Sequence, residues 1–162
     1  MERIFLGLGS NIGDREGYLR KALTGIQRIQ GTKIKKCSML YETEPWGDKQ
    51  QGIYLNCVIE IETKFEPDDL LNHLKRIEQE AGREPREKWA EREIDIDILL
   101  YGDRISEALS IKIPHPEIQN RKFVLIPLNE IASDLIHPYF KKSVLQLLLE
   151  TEDKSEVKIY HK

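Results

Sequence analysis

Two carboxylates separated by one residue stand in the segment Glu93-Ile94-Asp95-Ile96-Asp97-Ile98-Leu99. In an extended chain the side chains alternate, so Ile94, Ile96 and Ile98 face one way and Asp95 and Asp97 the other. Their Cα atoms then lie roughly 6.6 Å apart. From that separation two carboxylates converge on a pair of hard cations about 3.5–4 Å apart. Without a cation they repel each other, on a strand that already disfavours Asp. Leu99 and Tyr101 share their face, which is therefore not a plain solvated surface. The alternative is an exposed sheet face, or ion pairs with Arg92 and other bases.

The residues around this pair carry charge of both signs. Arg83, Arg86, Lys88 and Arg92 precede it, interspersed with Glu84, Glu87 and Glu91. Such a loop can be simply solvated. Beside a metal site it also describes a polyphosphate clamp, because guanidinium grips phosphate oxygens bidentately and magnesium bridges them. Trp89 is out of place in so charged a stretch. Upstream, at about 100° per residue and with Leu70 as zero, Glu78 falls near 80°, inside the apolar stripe of a helix. A carboxylate there must emerge at the helix edge or find a partner.

Further along, Tyr54 and Asn56 share a strand face. An aromatic ring beside an amide can read a flat heterocycle, or can be a cross-strand contact beside a surface residue. His115 is held between Pro114 and Pro116 in a stiff segment, as a solvent-facing loop residue or a ligand contact. Asn120-Arg121-Lys122-Phe123 adds a cation and an aromatic. The glycines Gly7, Gly9 and Gly13 form neither a Walker A loop nor a dinucleotide fingerprint. Any nucleotide is held by another device.

These groups need elements to position them. Arg3–Leu8 reads as a strand, with Gly9-Ser10-Asn11-Ile12-Gly13 as the following turn. Asp14 caps a helix whose apolar positions run from Tyr18 to Ile29, ended by Gly31. Ile34–Thr43 is a second strand, and Tyr54–Thr63 a third. Pro67 opens a helix that runs to Ala81, with Asp68 and Asp69 at its positive end. Glu93–Tyr101 is a fourth strand. Short helices are expected at Leu128–Ile131 and Ser143–Glu150, and a short strand at Val157–Tyr160. The order βαββαβ implies an α+β chain, a ferredoxin-like sandwich with an antiparallel sheet and a C-terminal extension. One domain over residues 1–162 is expected, with a polar tail from about residue 151.

Composition sets the outer bounds. The chain has 162 residues, 33% of them charged, with 25 Lys and Arg against 28 Asp and Glu. So near a balance argues against nucleic acid as the partner. The longest apolar stretches are a few residues, far short of the roughly 20 that a membrane span needs. The first residues lack the apolar region of a signal peptide. Cys37 and Cys57 read as two buried, reduced thiols of a cytoplasmic protein.

Taken in order, the motifs resemble those of 6-hydroxymethyl-7,8-dihydropterin pyrophosphokinases of folate biosynthesis. They are Gly9-Ser10-Asn11-Ile12-Gly13, Thr43-Glu44-Pro45-Trp46-Gly47, Tyr54-Leu55-Asn56, Ile77-Glu78, Gly82-Arg83, Arg92-Glu93-Ile94-Asp95-Ile96-Asp97-Ile98, Pro114-His115-Pro116 and Asn120-Arg121-Lys122-Phe123. The resemblance runs from about Ile4 to Leu148. It implies transfer of an intact diphosphate from ATP to the pterin hydroxymethyl oxygen, with release of AMP. By the same resemblance Asp95 and Asp97 hold two Mg2+ ions, and Arg83 and Arg92 are catalytic. Glu78, Arg86, Lys88, His115 and Arg121 meet ATP. Thr43, Pro45, Trp46, Tyr54, Asn56 and Phe123 form the pterin pocket, and Trp89 closes over it. The loops Glu44–Ile53 and Glu84–Glu91 act as lids, and the protein works as a monomer on small molecules. An RNA-binding module and a D-x-D sugar transferase are the competing classes. The first lacks aromatic-rich strands and positive charge; the second lacks length.

Overall fold

The computed structural model describes residues 2–43, 52–88, 90–108 and 110–162. The first strand, β1 (Ile4–Ser10), leads through a turn to helix α1 (Arg15–Gln27), whose N-cap Asp14 accepts the Gly17 amide at 3.1 Å. β2 (Thr32–Cys37), β3 (Tyr41–Thr43) and β4 (Tyr54–Thr63) follow. Helix α2 (Pro67–Ala81) precedes β5 (Asp95–Tyr101). A 3-10 turn (Ile118–Asn120), α3 (Lys122–Ala132), α4 (Val144–Glu150) and β6 (Val157–Ile159) complete the order. The chain is thus a mixed α/β fold around one antiparallel sheet. The strand order is β5-β1-β4-β3-β6, with β2 also paired to β4.

Two boundaries differ from expectation in ways that matter to function. Gly9 and Ser10 belong to β1, not to a turn: Gly9 pairs with Asn56 on one side and with Asp95 on the other. The expected strand Ile34–Thr43 is broken in two. At the break, the Ser38 amide donates to the Val58 carbonyl and the Ser38 hydroxyl accepts the Val58 amide, while the Met39 amide turns to the Glu130 carboxylate. A side chain thus replaces one rung of the ladder. Cys57 is buried as expected but Cys37, at the end of β2, is exposed.

Strand alternation sends apolar side chains to both faces. On one face Ile4, Leu6, Leu8, Leu55, Ile59, Ile61, Ile96 and Ile98 pack under α1 and α2. On the other, Phe5, Val58 and Leu99 pack under α3 and α4. The α3 helix is longer than the expected Leu128–Ile131, and its buried Val124, Leu125 and Leu128 cover part of this second face. Along that face β1 carries Phe5 and then Gly7 and Gly9. The absence of side chains at the last two positions leaves the sheet bare at one end.

Candidate functional site

A cavity of about 490 Å³ opens over that bare end, between the sheet, α2, the start of α3 and the segments 83–88, 90–92 and 110–116. Gly7 pairs with Asp97, and Gly9 with Asp95, so both carboxylates lie beside the glycines on the cavity floor. Between them, Ile96 turns into the core. The alternation read from sequence therefore holds for this strand. Its start does not: Glu93 lies before β5 and is buried.

Asp95 meets two guanidiniums, with Arg83 Nη2 and Arg92 Nη1 each 3.7 Å from its Oδ1. The arginines reach it from different directions. Arg83 leaves the end of α2, where Gly82 takes the left-handed φ of 113° that ends the helix at little steric cost. Arg92 is held through its backbone: its amide donates to Asn11 Oδ1 at 2.7 Å, and the Asn11 amide donates back to its carbonyl at 3.1 Å. Asn11 is thus a positioning residue in the turn after β1. No role was expected for it beyond membership of the Gly9–Gly13 motif.

Burial raises both carboxyl groups above the usual carboxylate range. At Asp95 the charges of Arg83, Arg121, His115 and Lys75 work against the rise. Asp97 is pushed up to about 7, by burial first and then by the neighbouring charge of Asp95. Two carboxylates that hold a proton with difficulty shed suit a divalent cation, which relieves the same repulsion. Among the described residues no group of three or more acidic, His or Cys side chains gathers around one point. Two carboxylates with the remaining positions left to water and phosphate oxygens is the manner of magnesium rather than of an all-protein cage.

Toward the other end of the cavity stand Tyr54, Asn56 and Phe123. Asn56 is buried, and its Nδ2 donates to Thr43 Oγ1 at 2.7 Å. With Nδ2 turned to Thr43, Oδ1 is left to accept from elsewhere. Thr43 itself sits behind Asn56 and not on the cavity wall. Gly9 lies under the amide: a Cβ there would come within 2.5 Å of Asn56 Oδ1. Arg121 stacks its guanidinium 5.7 Å from the centre of the Phe123 ring, so cation and aromatic form one wall.

Lys88, His115 and Arg121 line the cavity. His115 Nδ1 accepts the Glu117 amide at 3.1 Å, which leaves Nε2 as the protonated nitrogen of a neutral ring. Burial, helped by the charge of Arg121, pushes its pKa down to about 4. Glu78 also reaches the wall, but both of its oxygens are engaged within the protein, by Arg83 and by the Ile96 amide. Arg86, expected on phosphate, lies off the wall and turns to Glu93, with Nη1 2.6 Å from Glu93 Oε1. Pro45, Trp46 and Trp89 lie outside the described residues. Of the charged and hydroxyl-bearing wall residues, Lys75, Ser110 and Lys112 had no assigned role. Lys75 could have been read from its place one turn before Glu78 on the edge of the helix. Ser110 and Lys112 carried no sequence signal, since only the return of their segment past β5 brings them in.

A family model described as 7,8-dihydro-6-hydroxymethylpterin-pyrophosphokinase (HPPK) matches residues 5–133. The chain is 44% identical, over 142 residues and 88% of each chain, to the 2-amino-4-hydroxy-6-hydroxymethyldihydropteridine pyrophosphokinase of Aquifex aeolicus. It is 39% identical, over 155 residues and 96% of each chain, to the Haemophilus influenzae enzyme of the same name. Its fold is that of part of the Plasmodium falciparum HPPK-DHPS protein, with a TM-score of 0.74 at 16% identity over 92% of this chain. The match spans 43% of that longer chain, less than half its length. With the family model covering most of its length and two relatives matched nearly end to end, the chain belongs to the 7,8-dihydro-6-hydroxymethylpterin-pyrophosphokinase family.

Proposed function

We propose that this chain transfers a diphosphate from ATP to the hydroxymethyl oxygen of 6-hydroxymethyl-7,8-dihydropterin, releasing AMP, as a step of folate biosynthesis. Besides family membership, one observation carries this reading. The carboxylate pair with its arginines and the oriented Asn56 amide share one cavity, on a single rung of the sheet that runs from Asp95 through Gly9 to Asn56. Two strand spacings separate the ends of that rung, roughly 10 Å. That length suits a bicyclic ring whose hydroxymethyl arm points at a polyphosphate.

The chemistry assigned to the residues follows from their placement. Asn56 Oδ1 accepts from the amide edge of the pterin, and Tyr54 and Phe123 flank its ring. Asp95 and Asp97 would hold two magnesium ions, which when bound would supply screening of phosphate charge beside the acceptor. Arg83 and Arg92 take up charge on the oxygens that the metal leaves uncovered. The alcohol oxygen attacks the β-phosphorus, the bond to the bridging oxygen of AMP breaks, and the alcohol proton passes to solvent. The work is chiefly alignment, so no strong general base is assigned. His115, neutral and with a proton on Nε2, donates to the nucleotide without changing the charge of the site.

Three coarser features belong to the same reading. The partial order β5-β1-β4-β2 supports a ferredoxin-like core to which β3, β6, α3 and α4 are added. The whole of residues 1–162 is taken as one pyrophosphokinase domain. No helix among the described residues is long and apolar enough to cross a membrane. The direct test of the metal assignment is Asp95→Ala and Asp97→Ala. Each should nearly abolish AMP formation while the chain stays folded, and a near-normal rate in either would remove the two-metal assignment.

A further inference from the structure

The Glu78 carboxylate is 4% exposed, on the inner side of α2 amid Leu70, Leu74, Ile77 and Ala81. An ionisable group in that position needs a reason. The sheet edge supplies one. Among the described residues β5 pairs with β1 on one side only and is an edge of the sheet. There its outer N–H groups have no described strand to donate to, and where α2 covers that edge they are shielded from water. Glu78 Oε2 accepts the Ile96 amide at 2.7 Å, in a fully buried bond. Ile96 is the residue between Asp95 and Asp97.

The other oxygen does something separate. Glu78 Oε1 accepts from Arg83 Nη1 at 2.6 Å, and the Arg83 amide donates to the Glu78 carbonyl at 3.0 Å. Arg83 is thus tied to Glu78 through both backbone and side chain. Its second nitrogen, Nη2, is the one that points at Asp95. A neutral acceptor would cap the Ile96 amide without adding a negative charge next to two carboxylates. The carboxylate is needed only because it must also hold a guanidinium.

We infer that Glu78 is a positioning residue, whose carboxylate sets the strand between the two aspartates and aims Arg83 at the phosphates. This rests on the pyrophosphokinase reading and assigns Glu78 a part other than contact with the nucleotide. Glutamine separates the two roles. Its carbonyl can still accept the Ile96 amide, but its NH2 group then faces Arg83 and cannot accept from it. Glu78→Gln should therefore lower kcat by about 10- to 100-fold, the scale of a misaimed group, and leave the KM for ATP within about two-fold.

A cycle with Arg83→Ala tests the route. If Glu78 acts through Arg83, then Glu78→Gln costs nothing further in kcat once Arg83 is gone, and the double variant turns over like Arg83→Ala alone. Independent, multiplying losses would overturn the inference, as would a rise in the KM for ATP of ten-fold or more in both backgrounds. The wild-type chain offers a check that needs no variant. The Ile96 amide, although on a sheet edge, should exchange with deuterium as slowly as amides paired within β1, and fast exchange would overturn the cap. Failure of the wild type to form AMP would sink the pyrophosphokinase reading and this inference with it. Normal AMP formation with multiplying losses would sink the inference alone.

Discussion

Removing the charge of Asp97 should stabilise the metal-free protein. Its carboxyl is pushed from 3.8 to about 7 by burial and by Asp95. Between those values the folded chain holds a proton that the unfolded chain has lost, so stability falls as pH rises through that window. Across about three pH units, at about 1.4 kcal/mol each, the ionised group costs at most about 4 kcal/mol. Asp97 lies on the floor of an open cavity, where water screens part of that, and about 2 kcal/mol is the working figure. Asp97→Asn keeps the size and hydrogen-bonding of the side chain and removes the charge. At pH 8, in chelator, the variant should melt about 4–8 °C above the wild type. At pH 5, only about one unit above 3.8, little of the window has been crossed and the gain should fall to less than half its pH 8 value. Calorimetry at both pH values reads this directly. A variant no more stable at pH 8, or one equally favoured at pH 5, would refute the claim that the pair is built at a cost to the empty fold.

Three further outcomes follow from the same geometry. Magnesium must displace the Asp97 proton, so the affinity for Mg2+ with ATP should fall by up to about ten-fold per pH unit below about pH 7, and titration calorimetry in Asp97→Asn should lose that slope. Thr43→Val deletes the acceptor that orients Asn56; about 1 to 1.5 kcal/mol is lost with such a bond, so the KM for the pterin should rise roughly ten-fold, with ATP affinity unchanged, and equal losses for both substrates would contradict the assignment. Arg92→Ala should lower kcat far more than the affinity for ATP measured by equilibrium binding, because its guanidinium is set beside Asp95 to meet charge that grows during transfer.

Where local chemistry decides the outcome, the residues were legible. The alternation Ile94 to Ile98 placed both aspartates on one face, and the helical angle of Glu78 called for either an edge position or a partner, of which the structure supplies partners in Arg83 and Ile96. What could not be read arises from packing between distant segments. The short helix expected at Leu128–Ile131 begins earlier, at Lys122, with Pro127 inside it, and its added first turns bury Val124 and bring Phe123 to the cavity. Glu93 looked like strand, but it leaves the sheet to take Arg86 out of the site. Ser38 split a strand by offering its own hydroxyl to the Val58 amide. At Glu93 and Ser38 a side chain competed with the backbone pattern, and no periodicity records that.

The central claim is that the cavity joins an oriented heterocycle to a polyphosphate held by Asp95, Asp97, Arg83 and Arg92. Its most direct test is the identity of the nucleotide product when the purified chain is given ATP, magnesium and 6-hydroxymethyl-7,8-dihydropterin. AMP in equal amount to pterin diphosphate, and none without the pterin, is the expected result. ADP as the product, or AMP released at the same rate with no pterin present, would contradict it.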